Sequence, residues 1–423
     1  MKRELYEYEV FPKILPSDKE SRITLRSLAY HTAFKKEEKY TLRVLPLCQS
    51  HDPQKDDTYP SYTARVQADG TLCLTHCFCG EQEHCIRILR EDGTKLVDLS
   101  VYSVLSDLYA LRPYLGDMHS HTCFSDGKEA PEFVAARYRE EGFDFLAITD
   151  HRRYEPSLRA IDFYKDVNID LCLVPGEEIH APNHNVHTVN FGGKYSVNDM
   201  WRNDENGFAL EIANIEKTLS LPQGVSSYEI AVCIWEAEHI RKGGGLSIFC
   251  HPFWKNNAYQ VPIAVTEYLL RNKIHDAFEL VGGQTEKENM QQTLLYNQLR
   301  TEGVNPAIVG NSDSHNTING KDFNVLKTMV FAQSCTREEL IDAVKSHYSV
   351  AIDSYAGAHY HVHGEYRLAS YAAFLLEEYF PLHQELCKEE GRLMRCLVAG
   401  DKSAANALNA LSGRCNTLLE HCF

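Results

Sequence analysis

The sequence predicts an α/β protein with a barrel-like core, a small antiparallel β-sandwich ahead of it and a helical tail behind it. Three observations carry this. Short apolar runs alternate with helical stretches in the middle of the chain, the mark of βα units. Ahead of them lie segments of period-two character with Asp-Gly turns. Behind them, apolar residues recur at helical spacing through to Leu419. The expected domains are 1–110, 111–355 and 356–423.

In the first domain the strand signals are "YTLRVLPL", "TARVQADGTLCLTHCF" and "CIRILREDGTKLVDLSVYSV". The turns Asp69-Gly70 and Asp92-Gly93 predict hairpins. After "LYALRPYLGD" come the apolar runs "FDFLAIT", "LCLVPG", "HTVNFGG", "GLSIFC", "AFELVGG" and "PAIVGNS". Helices are expected from Ala130 to Glu141, with Pro131 in the first turn, and from Ser227 to Lys242, ended by Gly243-Gly244-Gly245. Thr336 and Glu339 form a capping-box signature. From Tyr366 onward the chain is amphipathic and helical, a surface for packing or for a homo-oligomer.

Composition narrows the function classes. At 423 residues the chain exceeds what one hydrophobic core usually organises. No window approaches eighteen uninterrupted apolar residues, so no membrane span is expected. The start, Met-Lys-Arg-Glu-Leu, lacks the apolar stretch of a secretory signal, and the expected location is cytoplasmic. Fourteen cysteines are scattered without a disulfide framework and read as reduced thiols. The tightest group, Cys77, Cys79 and Cys85 with His76 or His84, matches no zinc template. A net charge of −16 argues against a stable nucleic-acid complex.

The chemistry begins at "GDMHSHTCFSDG", where His119 and His121, two apart, share one face of an extended segment. Such a pair is weak by itself, since "HYHVH" at His359, His361 and His363 repeats it. Position supplies the weight: "FLAITDH" ends on His151, "LCLVPGEE" on Glu178, "GLSIFCHP" reaches His251, and "PAIVGNSDSH" carries Asp313 and His315. In barrels of parallel strands the C-terminal ends build the active site, so these residues would converge. With Asp126 and His187 they make a mixed nitrogen and oxygen set suited to zinc, manganese or iron. Nine ligands exceed the need of one or two ions that keep open positions, so three divalent ions are expected. Their net positive charge would attract a phosphate.

The ordered motifs "HSHTCFSDG", "ITDH", "PGEEIH", "HTVNF", "CHPFW" and "NSDSH" resemble those of the PHP (polymerase and histidinol phosphatase) superfamily over about Gly116 to Asp353. The resemblance implies a distorted (β/α)7 barrel. It also implies a trinuclear site hydrolysing phosphoesters, with His119, His121, Asp126, His151, Glu178, His187, His251, Asp313 and His315 at the ligand positions. Within the doubled acid, the family's glycine-plus-spacer pattern selects Glu178 over Glu177. The choice of His187 over His184 rests on the apolar strand that follows it.

The expected reaction is attack of a metal-bound hydroxide on the phosphorus of a small phosphorylated metabolite, nucleotide or short oligonucleotide. Glu178 would bridge ions, Asp313 would hold an ion and orient the nucleophile, and the leaving-group acid would be His180, His184 or a metal-bound water. Arg152 and Arg153, directly after His151, are candidates to hold the phosphate. Two other classes compete. An amidohydrolase-type enzyme would use fewer ions and often a bridging lysine, and no lysine stands at the end of an apolar run here. A catalytically silent regulatory barrel would lack ligands, and none is lacking. For Asp126 the bland alternative is a helix N-cap; for "HYHVH" it is a segment outside the centre; for Cys250 it is a small buried residue.

Overall fold

The computed structural model describes residues 2–48, 58–355 and 359–423. The chain divides into two compact units. One comprises Met1–Arg112, Ala369–His383 and Gly413–Phe423, the other Pro113–Leu368 and Gln384–Ser412. The helices Tyr366–Glu378, Phe380–Val398, Ser403–Leu411 and Arg414–Cys422 are thus shared out between the two units along the sequence.

The first unit holds two sheets. One has three strands, Tyr8–Phe11, Glu20–Ser27 and Leu72–Cys77 in that order; the other has five, with Gln82–Leu89 and Lys95–Val104 at its centre. Alternating burial along Gln82–Leu89 sends Ile86 and Ile88 into a core shared with Ile23, Leu25 and Leu74 of the other sheet. The two Asp-Gly turns behave differently. Asp92-Gly93 closes a true hairpin, Gln82–Leu89 pairing antiparallel with Lys95–Val104. Asp69-Gly70 also turns, with Gly70 at φ 84° and the Asp69 carboxylate accepting from the Thr71 N–H, but the flanking strands do not pair. Ser61–Arg65 pairs with Lys39–Pro46, and Leu72–Cys77 with Glu20–Ser27. The hairpin expected there is therefore a crossing between sheets: turn chemistry reverses the chain locally but does not choose the partner strand.

The second unit is α/β. Every apolar run named above forms a strand, in two curled sheets. One runs Cys172–Val174, Phe145–Ala147, Arg112–Asp117, Leu326–Ala332, Ser349–Asp353, His361–His363. The other runs Gly176–Ile179, Thr188–Phe191, Leu246–Phe249, Ala277–Val281, Ala307–Gly310. Single bridges, His151 to Glu178 and Ser120 to Ser314, link the sheets at the strand ends.

The βα pattern predicts parallel pairing throughout, and the structure departs from it. Thr188–Phe191 is antiparallel to both neighbours, and Leu326–Ala332 is antiparallel to Ser349–Asp353. Gly176–Ile179 and Thr188–Phe191 are joined by a short loop without a crossover helix, and a parallel pair would need one.

The helices Pro131–Glu140 and Ser227–Lys242 stand where expected. The helix Arg337–Lys345 also starts at Thr336, but that hydroxyl makes no capping bond; it lies 3.2 Å from the Ser334 hydroxyl, which competes for it. A complete capping box instead opens Glu286–Thr301, with Thr285 and Glu288 as its partners.

Candidate metal centre

The strand ends deliver the ligand candidates to one place. His119 and His121 follow the strand Arg112–Asp117, His151 follows Phe145–Ala147, His251 follows Leu246–Phe249, and Asp313 and His315 follow Ala307–Gly310. His187 precedes its strand, and the reason is topological. Thr188–Phe191 runs antiparallel, so its N-terminal end lies where its neighbours' C-terminal ends lie, with Thr188 opposite both Ile179 and Phe249.

All nine residues come together. His121 Nε2 is 2.8 Å from Asp313 Oδ1, and His119 Nε2 is 3.3 Å from the same oxygen. His151 Nδ1 lies 2.5 Å from Glu178 Oε2, His187 Nδ1 lies 2.7 Å from Glu178 Oε1, and His251 Nε2 lies 3.4 Å from that oxygen. Asp126 faces His151 at 3.5 Å and His315 at 3.2 Å. Asp126 is not a helix cap; the following helix begins at Pro131 with Ala130 at its N-cap.

The neighbours left open by the sequence separate cleanly. Glu177 and Glu178 are adjacent on a strand and point to opposite faces. Glu177 accepts from the Ser196 hydroxyl, the Val197 N–H and the Asn190 and Asn198 amides, anchoring the helix Val197–Asn203. Both Glu178 oxygens are buried with no hydrogen-bond partner. His184 Nε2 lies on the Glu229 carbonyl and beside the Cys233 thiol, away from Glu178. Cys250 is buried, its thiol donating to the Ile248 carbonyl.

A divalent ion suits this donor set. His119 Nε2, His121 Nδ1, His187 Nδ1 and both Glu178 oxygens are buried and orphaned, a costly state for polar atoms unless something else satisfies them. Atoms bound to one ion at about 2.1 Å sit ~3–3.4 Å apart, close to the separations found here. Three sets, His121/Asp126/His151/His315, His119/His251/Asp313 and His119/His121/Glu178, each have donor atoms within 4.8 Å of one another.

The far ring nitrogens are fixed as metal-binding imidazoles usually are. His119 Nδ1 meets Glu279 at 3.0 Å, His251 Nδ1 meets the Gln260 amide oxygen at 3.1 Å, and His315 Nδ1 donates to the Asp313 carbonyl at 2.7 Å.

Electrostatics agree. Burial by itself would raise the Glu178 carboxyl, but His151, His187, His180 and His119 hold it well below its ordinary range. Asp313 is lowered in the same way, burial being outweighed by His119, His121 and His251. Asp126 is lowered by its bond to His151. Burial pushes His187 down to about 3, while in His151 burial is outweighed by Glu178 and Asp126, which raise it to about 10. The carboxylates are thus held as anions among crowded imidazoles.

Two of the nine residues also carry backbone strain. His251 and Asp313 have φ of 25° and 49°, conformations that cost about 1–3 kcal/mol each away from glycine. Gly283 permits the second: a Cβ there would lie 2.4 Å from the Asp313 Cβ.

Several supporting residues were not anticipated. Glu279 sits inside the apolar run "AFELVGG" and contacts His119 and the Asn311 amide. Asp117 is fully buried and lifted to about 6 by that burial; it accepts from the His119 and Ser312 N–H groups and from the Tyr138 hydroxyl, tying two ligand loops together. Asp150 accepts from Thr122 and Ser125 and holds the loop that presents Asp126. A charged residue within or at the end of an apolar strand is the available sequence signal for all three.

The remaining candidates lie around the centre. His180 Nε2 is 2.9 Å from His151 Nδ1 and 3.3 Å from Glu178. Arg153 is half exposed and pairs with Glu155 at 2.8 Å. Arg152 is exposed at φ 60°, and its carbonyl accepts from Arg202.

Residues 117–171, which include "HSHTCFSDG" and "ITDH", match the PHP domain family. The 5′-3′ exoribonucleases Rnm of Salmonella typhimurium and Escherichia coli are each 39% identical to it over 75 residues, 17% of this chain. The chain spans 26% of the length of these curated relatives. Among solved structures, it is similar to a two-domain protein from Bacteroides vulgatus containing a predicted PHP-like metal-dependent phosphoesterase. Identity there is 17%, covering 57% of this chain and 65% of the other, with a TM-score of 0.40. Among the described residues, no helix is long and apolar enough to cross a membrane.

Proposed function

We propose that this chain is a metal-dependent phosphoesterase holding three divalent ions on His119, His121, Asp126, His151, Glu178, His187, His251, Asp313 and His315. The observation that carries the reading is the convergence of orphaned, buried nitrogen and carboxylate atoms from separate strand ends on one point. The PHP segment supports it. When bound, such ions supply Lewis acidity at a phosphoryl oxygen and make water a nucleophile at neutral pH.

The chain's own residues divide the remaining work. Glu178, with an imidazole nitrogen close to each oxygen but no hydrogen bond formed to either, holds the middle of the cluster, and Asp313 joins His119 to His121. Glu279 and Gln260 fix imidazole orientation from behind. Asp126, 58% exposed, and His315, 35% exposed, mark the open side by which a substrate would enter. Arg152 and Arg153 lie next to His151 in sequence and would hold the phosphate there. His180, beside His151, is the proposed proton donor to the leaving oxygen.

The proposed substrate is a small phosphorylated metabolite, a nucleotide or a short oligonucleotide. The oligonucleotide arm is supported by the likeness to a 5′-3′ exoribonuclease over 75 residues; the net charge of −16 weighs against long nucleic acids. The test is metal analysis of the purified protein with a panel of phosphomonoesters, phosphodiesters and 5′-phosphorylated short oligonucleotides. Turnover of at least one class, dependent on bound ions, is expected. Turnover of none by the fully loaded protein would overturn the reading.

A further inference from the structure

The "HYHVH" segment lies outside this centre, yet it does not behave as an ordinary loop. His361–His363 forms a strand antiparallel to Ser349–Asp353, with His361 directly opposite Asp353 and His363 opposite Ala351. Residues two apart on a strand share a face, as do directly opposed ones, so His361, His363 and Asp353 project from the same side of this two-stranded edge. His361 Nδ1 is 3.0 Å from Asp353 Oδ1, and His363 Nε2 is 2.8 Å from Asp353 Oδ2. One carboxylate is gripped at both oxygens by two imidazoles, a short-range contact pattern also seen around Glu178.

The surroundings leave one side open. A cavity of about 510 Å³ is lined by Asp353, His361 and His363 together with Tyr355, Asn289 and Lys287. We propose that Asp353, His361 and His363 form a second, separate site for a divalent transition-metal ion of the zinc class. Two imidazoles and a carboxylate are three protein ligands of the kind zinc takes, and the cavity supplies room for a fourth, exchangeable one. A structural zinc site would be closed by four protein ligands. The ion here is therefore accessible, and the cavity beside it can hold a small anionic or carbonyl-bearing ligand in contact with the metal. The site does not depend on the phosphoesterase reading, since it shares no residue with the nine-ligand centre.

The bland alternative is a carboxylate satisfied by two histidine N–H groups with no metal. The two differ in metal content. The full-length wild-type chain, loaded with zinc and desalted, is expected to hold one equivalent more than H361A/H363A, with the far-UV circular dichroism of the two unchanged. Equal zinc content in the two folded proteins would overturn the proposal.

Should the double variant not fold, H361A alone serves, because its imidazole is 60% exposed and fills no core. In competition with a chromophoric chelator its weakest-held equivalent is expected to dissociate at least ~10-fold more readily. An unchanged chelator curve would refute the site. Cobalt substitution gives the spectroscopic readout: a visible absorption component present in wild type and absent in H361A supports the assignment, and identical spectra contradict it.

Discussion

In the N-terminal unit the run from His76 to Cys85 holds two imidazoles and three thiols within ten residues. The run from His119 to Asp126 in the other unit is no denser, yet the two come to opposite ends. In the first, His76 Nδ1 hydrogen-bonds with the Tyr62 hydroxyl at 2.8 Å, His84 Nε2 with the Ser103 oxygen at 2.8 Å, and the Phe78 ring stands 4.9 and 5.2 Å from the two imidazoles. Cys85 follows His84 on the same strand and so faces the other side of the sheet, where burial and then Asp98 raise its thiol to about 12. In the second, imidazoles and carboxylates arrive from separate strand ends and meet with atoms left unsatisfied. Local density of ligand types is therefore not enough by itself. What marks the nine-residue cluster is that several unsatisfied atoms from separate strand ends meet there, whereas His84 Nδ1 stands by itself.

The largest expected effect is that of Asp313→Ala. It removes the oxygen that contacts both His119 and His121, and it should lower hydrolysis at least ~100-fold, together with metal content. Far-UV circular dichroism should be unchanged, because Asp313 lies at a strand end and not in the core. Turnover close to wild type with metal depleted would break the contrast between the two regions.

Next comes a paired test on neighbours. Glu178→Gln should lose metal and activity while remaining folded. Glu177→Gln should keep its metal but lose about 1–3 kcal/mol of stability, measured by urea unfolding, because it disturbs a buried carboxylate that accepts four hydrogen bonds. The reverse pattern would show that the roles of the two acids are exchanged.

Smaller again is His84→Ala in the N-terminal unit. It should cost about 1–2 kcal/mol through a lost buried hydrogen bond and lost packing on Phe78, with metal stoichiometry and kcat unaltered. Loss of an ion equivalent would make the His76–Cys85 run a site after all.

The smallest effect is expected for Arg153→Ala. Its guanidinium is exposed and paired with Glu155, so it should raise KM a few-fold with kcat nearly constant, as for a contact made equally in ground and transition states. A drop in kcat alone would place that contact in the transition state.

Much of the centre was legible because its residues stand at fixed offsets from apolar runs, and a strand end is a predictable place. Glu279 was not legible: inside "AFELV" it reads as an interruption of a strand, and only the fold shows that it backs His119. The strands Leu326–Ala332 and Ser349–Asp353 carry Lys327, Thr328 and Ser349 among their buried positions; such mixed runs give no clear period. The antiparallel direction of Thr188–Phe191 left a trace in the sequence, since His187 precedes its strand while His121, His151, His251 and Asp313 follow theirs. The crossing at Asp69-Gly70 left none, because pairing partners are chosen by the shared core and not by the turn.

The most direct test of the central claim is a metal titration of the chelator-stripped protein, following hydrolysis of an aryl phosphate as manganese or zinc is returned. The account predicts no turnover at the start and a rise to a plateau as the ninefold ligand set fills, a rise that Asp313→Ala does not show. Full turnover by protein verified to contain no metal would contradict it.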